Sequence, residues 1–379
     1  MHEEPMSKKI VILGAGMVGR TMALDLAKDY AVTSVDRDVD ALHKLQDSNI
    51  ETIQADLSDK SRVQELISDA DLVVGSVPGF MGHETLKWVI EAGKHVVDIS
   101  FFPEDPFDLD DLAKAKGVIA VMDAGVAPGM SNFIAGYHNQ RMEIEEFICY
   151  VGGLPAERAW PFEYKAPFSP IDVIEEYLRP SRLVENGALV EREALSEPEL
   201  IELPGVGQLE AFNTDGLRSL IKTMDIPNMK EKTLRYPGHI ELMRVLRETG
   251  FFSDSAIDVK GVSVRPIDLT TELLFPKWKL GETEEEFTVM QIILRGKENG
   301  EQVSYTYDLL DRYDVASGAS SMSRTTGYTC TAISRLVLEG KYEQTGISPP
   351  EFVGTSQNCF DDVMAMLKAR GVDYRMEKR

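Results

Sequence analysis

Residues Ile10–Arg20 read IVILGAGMVGR: four apolar residues, glycines at 14, 16 and 19, and an arginine. A G-x-G-x-x-G spacing that closes an apolar run and opens an amphipathic one reads as a buried strand turning sharply into a helix. Gly14 permits the tight turn, Gly16 lets an anionic group approach the backbone, and Gly19 lets the helix pack against the strand. Met17 and Val18 stand in the first helical turn, whose unpaired N–H groups suit a pyrophosphate.

Working outward, the same alternation repeats. Strands are expected at Lys8–Gly14, Val32–Asp36, Glu51–Asp56, Asp71–Val77, His95–Ser100 and Val118–Asp123, several of them apolar throughout. Helices are expected in MVGRTMALDLAK, SDKSRVQELISDA and GHETLKWVIEAG between them. Strands covered on both faces and separated by helices imply an α/β domain on a doubly wound parallel sheet. In such a sheet the strand ends carry the ligand site. Asp36 closes the second strand and would accept hydrogen bonds from an adenosine ribose, which favours NAD; Arg37 beside it could instead pair with the 2′-phosphate of NADP. Asp56 and Leu57 would meet the adenine edge, and Val77 and Pro78 would pass under the ribose and nicotinamide. Asp123 closes the sixth strand ahead of the loop Gly125–Gly129.

Beyond residue 130 the texture changes. EEFICYVGGLP reads as a strand, and Leu183–Phe212 as short strands with Gly and Pro turns. EFTVMQIILRGKENGEQVSYTYDLL reads as a hairpin turning at Asn299-Gly300. The expected domains are 1–130, a dinucleotide-binding domain; 131–316, a mixed α/β domain with an antiparallel sheet; and 317–379, a helical segment. A net charge of −23 repels nucleic acid and anionic membranes. No apolar run reaches membrane-spanning length, the N-terminus MHEEPMSKK lacks an apolar signal core, and the cysteines (149, 330 and 359) show no metal-ligand spacing. These point to a cytoplasmic protein with no metal, no membrane and no nucleic-acid partner.

GAGMVG, GSVPGF, DISFFPED, DAGVAPG, YVGGLP, DGLRS, TLRYPGH and SSMSRTTGY occur in this order. The chain thereby resembles the saccharopine reductase and lysine 6-dehydrogenase family over nearly its whole length. The resemblance implies a Rossmann domain, a mixed α/β substrate-binding and dimerisation domain, and a C-terminal segment that returns to the first domain. Saccharopine reductases carry a tyrosine, an aspartate and a cysteine where this chain has Phe101, Ala127 and Val151. The wording is more similar to lysine 6-dehydrogenases. Their activity would be NAD-dependent oxidation of the ε-carbon of L-lysine, giving a semialdehyde that cyclises to piperideine-6-carboxylate. The alternatives are a saccharopine or carboxynorspermidine dehydrogenase, or a catalytically silent NAD-binding sensor. A homodimer formed through the antiparallel sheet is also expected.

Hydride can leave the ε-carbon only when the amine is neutral, and free lysine has a side-chain pKa of about 10.4. A carboxylate or histidine must take that proton, and an arginine must hold the α-carboxylate. Asp123 is the expected base, or else a helix cap; His239 is a proton carrier, or else a cap. Arg218 and Arg235 are the expected anchors, or else partners in salt bridges. Arg179, Arg324 and the pair Tyr164-Lys165 have weaker claims.

Overall fold

Ile10, Ile12 and Leu13 have no more than 1% of their surface exposed, so the first strand is covered on both faces. Such a strand can lie only at the middle of a layered sheet. In the computed structural model, which describes residues 8–46, 48–166, 170–281 and 284–379, it does so. The polar stretch 1–7 lies outside the described residues.

The chain forms two compact units. The first contains the residues up to Arg141 together with Ser323–Val372, the second Met142–Met322 together with Asp373–Arg379. The first unit opens with β1 (Lys9–Leu13), α1 (Met17–Leu26), β2 (Ala31–Asp36), α2 (Val39–His43), β3 (Ile50–Gln54) and α3 (Lys60–Leu66). It continues with β4 (Leu72–Gly75), α4 (Gly79–Glu91), β5 (His95–Asp98), α5 (Asp110–Lys116), β6 (Ile119–Val121) and α6 (Met130–Asn139). The second unit runs through β7 (Glu143–Pro155), α7 (Pro170–Leu178), β8 (Ser181–Glu185), β9 (Ala188–Arg192), β10 (Glu199–Leu203) and β11 (Gly207–Thr214). Next come α8 (Leu220–Thr223), β12 (Asn228–Arg235), α9 (His239–Glu248), the small hairpin β13 (Ile257–Val259) and β14 (Val262–Val264), and α10 (Pro266–Trp278). The chain ends with β15 (Glu286–Glu298), β16 (Glu301–Arg312), α11 (Ser321–Leu338), β17 (Gly346–Ser348), α12 (Pro350–Gly354), α13 (Gln357–Ala369) and β18 (Arg375–Lys378).

The first sheet is parallel in the order β3-β2-β1-β4-β5-β6-β17, so strand order reverses direction between β1 and β4. Ligands of open α/β sheets bind at the carboxyl ends of such a pair. Val11, Leu13, Val35, Val73, Val96 and Ala120 line one core of this sheet. Asp59 starts α3 by accepting from the N–H groups of Ser61 and Arg62 at 2.8 and 3.3 Å. The seventh strand, β17, comes from far along the chain and pairs with β6.

The second sheet has nine strands and follows β10-β11-β12-β7-β15-β16-β18, with β8 and β9 off this path. It differs from the expected antiparallel sheet in one place: β12 runs parallel to β7. The long connection from β7 to β12 passes through α7, β11 and α8, which gives the chain room for a crossover. The β15–β16 hairpin turns at Asn299 and Gly300, both left-handed (φ +54° and +87°), as a two-residue turn requires.

The boundaries shift from those expected at 130/131 and 316/317. Helix α6 stays with the first unit because it meets α12 at glycine contacts. A Cβ on Gly136 would stand 2.0 Å from the Glu351 carbonyl oxygen, and one on Gly354 2.1 Å from that of Phe133. The last residues leave again, since β18 pairs with β16.

Asp25 on α1, 1% exposed, ties the C-terminal helices to the first unit. It accepts hydrogen bonds from Arg335 (2.9 Å), Arg370 (2.9 Å) and the Thr331 hydroxyl (2.7 Å). Burial opposes its charge, but Arg370 and Arg335 outweigh it and hold the carboxyl below its usual range. A carboxyl that ionises more readily when folded stabilises fully above its unfolded value, about 4, and loses that contribution as pH falls through the lower folded value. Asp25→Ala should therefore cost roughly 3–5 kcal/mol near pH 7, because it takes the shared anion from the buried Arg335 and the half-buried Arg370, and the gap should narrow in acid. Urea denaturation of both proteins at neutral and acid pH reads this directly; equal midpoints at neutral pH would refute it.

Candidate active site

The glycine turn is built by close packing on two sides and left open on the third. Gly14 has φ +113°, and a Cβ on it would stand 2.5 Å from the Ser76 carbonyl oxygen. Gly19 lies against the turn itself, its Cβ position 2.1 Å from the Gly14 oxygen. The Ser76 hydroxyl braces this arrangement by donating to the carbonyls of Leu13 and Gly14 at 3.2 and 3.1 Å. Gly16, by contrast, has no protein atom within 4 Å of its Cβ position. It is the N-cap of α1, with no side-chain cap and no acid in the first turn, followed by Met17 and Val18. The open backbone and uncapped N–H groups fit a pyrophosphate.

Asp36 stands beside this opening. Its Oδ2 accepts the Ala15 N–H at 2.7 Å and its Oδ1 that of Asp38 at 2.9 Å. A carboxylate has about four acceptor sites, so two remain for ribose hydroxyls. Arg37 is exposed, and Asp56 is held below its usual range first by the Ser58 N–H and also by the Arg37 charge. Leu57 and Val77 are buried, while Pro78 is exposed as the N-cap of α4. A groove of about 510 Å³ lies elsewhere on this unit, lined by Val11, Thr33, Glu51 and Arg62 among others. None of the expected site residues lines it.

Asp123, 2% exposed, adopts φ +54°, a left-handed conformation that a non-glycine residue holds only where its surroundings impose it. The Ala124 N–H donates to the Asp98 carbonyl at 2.9 Å, which sets Asp123 beside the end of β5. Asp98 itself was not among the expected residues. Its sequence signal is a lone carboxylate closing an apolar strand, in VVDIS. Burial, with a contribution from the Asp123 charge, pushes its carboxyl up to about 7.

In the second unit the structure reassigns two expected residues. Arg235 is 1% exposed, and its guanidinium donates to Tyr177 Oη (3.2 Å), the Leu234 carbonyl (3.0 Å) and Glu176 (2.7 Å). It also lies over the Tyr164 ring at 4.5 Å. The guanidinium is thus walled in by its own unit, and the expected grip on a substrate carboxylate gives way to a place in the core. His239 is fully buried: its Nδ1 lies 2.7 Å from the Phe162 carbonyl and its Nε2 2.8 Å from Tyr177 Oη. A carbonyl can only accept, so Nδ1 carries the proton and Tyr177 donates to Nε2. Burial, then the Arg235 charge, push the imidazole down to about 3. It stays neutral near pH 7 and does not carry the proton expected of it.

Arg218 follows a differently built turn. Asp215 accepts two parallel bonds from Arg182, both 2.8 Å, and the Glu231 carboxylate covers Gly216, 1.5 Å from its Cβ position. Arg218 itself is 9% exposed with φ +51°. Lys165 is paired with Glu284 at 2.5 Å and Arg179 lies 3.7 Å from Glu175. In the first unit, Arg324 donates to the Arg370 carbonyl at 3.1 Å.

Sheet order, glycine turn and strand-end carboxylates define a Rossmann domain that binds a nicotinamide dinucleotide. Residues 10–121 match the saccharopine dehydrogenase NADP binding domain and residues 125–372 the saccharopine dehydrogenase C-terminal domain. The chain belongs to the saccharopine dehydrogenase family. It is 27% identical to an NADP(+), L-glutamate-forming saccharopine dehydrogenase of Pyricularia oryzae, over 65% of this chain and 59% of that one. It is 26% identical to an alpha-aminoadipic semialdehyde synthase of Arabidopsis thaliana, over 58% of this chain and only 22% of that protein. The apo structure of saccharopine dehydrogenase (L-Glu forming) from Saccharomyces cerevisiae has a TM-score of 0.81 and 20% identity, covering 98% of this chain and 100% of that one.

The three glycines should separate by experiment. Gly14→Ala and Gly19→Ala force backbone apart and should lower the melting temperature by several degrees, as roughly 1–3 kcal/mol of strain does in a chain of this size. Gly16→Ala should melt like the parent yet bind dinucleotide at least about tenfold more weakly, since its methyl group occupies the ligand's approach. Calorimetry of folding and of NAD binding distinguishes these outcomes; equal affinity in Gly16→Ala would remove the pyrophosphate from this turn. Arg235→Ala should instead act on stability, by about 3 kcal/mol or more, because it leaves Glu176 and Tyr177 without their buried partner. A variant as stable as wild type would return Arg235 to the list of ligand groups.

Proposed function

We propose that the protein is an NAD-dependent dehydrogenase that oxidises the ε-carbon of L-lysine and releases ammonia. One observation carries this reading. Where saccharopine reductases have tyrosine, aspartate and cysteine, this chain has Phe101, Ala127 and Val151, and Asp123 remains as a buried carboxylate at a strand end. A secondary amine with two polar arms loses three potential partners there, whereas a primary ammonium needs only one anion.

When bound, NAD accepts the hydride. The chain's residues do the rest. Gly16 and the start of α1 hold the pyrophosphate, and Asp36 accepts from the ribose hydroxyls, where its charge disfavours a 2′-phosphate. Asp123 takes the proton from the ε-ammonium, leaving the lone pair that expels hydride from the ε-carbon. Arg218 is the proposed anchor of the α-carboxylate. Water then adds to the imine, and ammonia leaves to give the aldehyde.

The second reading is a saccharopine-type dehydrogenase using NADP. The names of the similar enzymes and of the matched NADP binding domain favour it. An absorbance screen at 340 nm against lysine, saccharopine and diamines, with each cofactor, decides between them. Lysine turnover with NAD supports the leading reading, saccharopine turnover the second, and silence on all of them a sensor that has lost turnover.

Arg218→Ala should raise the KM for lysine about 30-fold or more, as loss of a charge-assisted contact worth about 2 kcal/mol implies. NAD affinity should change little, and cadaverine, which lacks the carboxylate, should be a poor substrate for the wild type and insensitive to the substitution. Asp36→Ser should raise the use of NADP relative to NAD. Tighter binding of NADP by the unaltered protein would give the 2′-position to Arg37.

A further inference from the structure

We propose that the exposed apolar face of the β13–β14 hairpin, together with the outer side of α10, is a self-association surface that a second copy of this chain covers about a two-fold axis. The inference goes beyond the proposed reaction and does not depend on it.

The hairpin is patterned for a burial that its own chain does not supply. Residues 257–264 read IDVKGVSV, a strict alternation around Lys260-Gly261, whose φ angles of +55° and +86° make the two-residue turn. Ile257 lies opposite Val264 and Val259 opposite Val262, so four β-branched residues share one face, while Asp258 and Ser263 share the other. Such alternation belongs to strands with one face covered. Here every residue of both strands is exposed except Val264, which is half-buried. Among the described residues the hairpin pairs with no third strand, and two strands alone are marginal in water.

Helix α10, which follows directly, has the same character. Ile267, Thr270, Leu274 and Trp278 form its buried side, whereas Leu269 and Leu273, one turn apart, stand on the outside. The base of the hairpin is fastened to this helix: Arg265 donates to Asp268 at 2.9 Å and reaches Asp254 at 3.5 Å. Thr270 donates to the Phe251 carbonyl at 2.7 Å. Phe251, Ile257, Val259, Val262, Leu269 and Leu273 are each 46–63% exposed, and they are six of the eighteen large apolar side chains exposed among the described residues. Exposed apolar residues scattered singly are ordinary; a concentration of them marks a contact surface.

Charge selects the occupant. Residues 251–279 carry four acidic and four basic side chains, so this stretch is neutral in a chain of net charge −23. Two copies repel each other across their acidic surfaces, and least across this one. A two-fold contact also needs a patch complementary to itself, which an apolar face set among equal numbers of both signs provides. A charged partner would instead require a rim of one sign. The edges of the nine-stranded sheet suit self-pairing less: β10 carries Glu199 and Glu202, and β18 carries Arg375, Glu377 and Lys378. Charged edge strands discourage pairing.

Sedimentation velocity of the whole chain tests the proposal. Wild type should sediment as a dimer at micromolar concentration, with a melting temperature that rises with protein concentration. Val262→Asp and Leu273→Asp, at exposed positions where substitution spares the fold of one chain, should keep the wild-type circular dichroism. Each should weaken self-association at least about 100-fold, because it puts an unpaired carboxylate from both copies into an apolar contact. Leu200→Asp, at an exposed position on β10, should leave the dimer intact. Amide exchange across 257–264 should be slower in wild type than in Leu273→Asp, since the second copy shields the hairpin. A wild type that stays monomeric overturns the proposal, whatever else binds this face. So does a dimer that survives both substitutions, or one that Leu200→Asp dissolves, which would move the contact to the sheet edge. Equal exchange in the two proteins removes the hairpin from the contact.

Discussion

The buried carboxylate of Asp25 decides how the first unit is put together. It lies in a helix next to the glycine turn, yet its partners are Arg335 and Arg370, more than 300 residues later. A single anion out of reach of water must be met by cations, and these cations must be desolvated too. Arg335 also donates to the Asp25 carbonyl and to Asp29, so the contact is a network and not one pair. Its partners on α11 and α13 flank β17, the strand that extends the parallel sheet beside β6.

The same unit shows how a ligand site differs from a core. At Gly14 and Gly19 the backbone is pressed against protein atoms, and side chains are excluded by neighbours that can be named. At Gly16 nothing of the protein excludes a side chain. The left-handed Asp123 follows the same logic, with an unfavourable conformation held where the strand ends of the sheet converge. Its neighbour Asp98 is the complement: a regular residue in a strand whose environment, not its backbone, is unusual.

The second unit buries charge for a different purpose. Arg235, His239, Tyr177, Tyr164 and Trp278 interlock through hydrogen bonds and ring contacts in one apolar cluster. The guanidinium donates to Glu176 and Tyr177, and the Phe162 carbonyl fixes the tautomer of His239, to whose other ring nitrogen Tyr177 donates. The bonds among Arg235, Glu176, Tyr177 and His239 admit one arrangement of these partners. The Tyr164 hydroxyl and the Trp278 indole N–H have no hydrogen-bond partner among the described residues and join the cluster through ring contacts. The motif TLRYPGH that carried the family resemblance is here a structural signature.

Local pattern determined much of this protein by itself. The strand–turn–helix at Ile10–Arg20, the alternation through Asp123, the Asn299-Gly300 hairpin and the place of Asp36 at a strand end all follow from residues a few positions apart, where backbone sterics and periodicity act. Tertiary structure alone decided the parallel pairing of β7 with β12, the return of β17 to one sheet and of β18 to the other, and the burial of Arg235 and His239. It also decided that Asp98 and Asp123 are neighbours. An arginine or an aspartate has the same sequence signature whether it faces water, a ligand or another side chain. Its role is fixed by desolvation and by which distant group supplies the opposing charge, and those are properties of the folded chain.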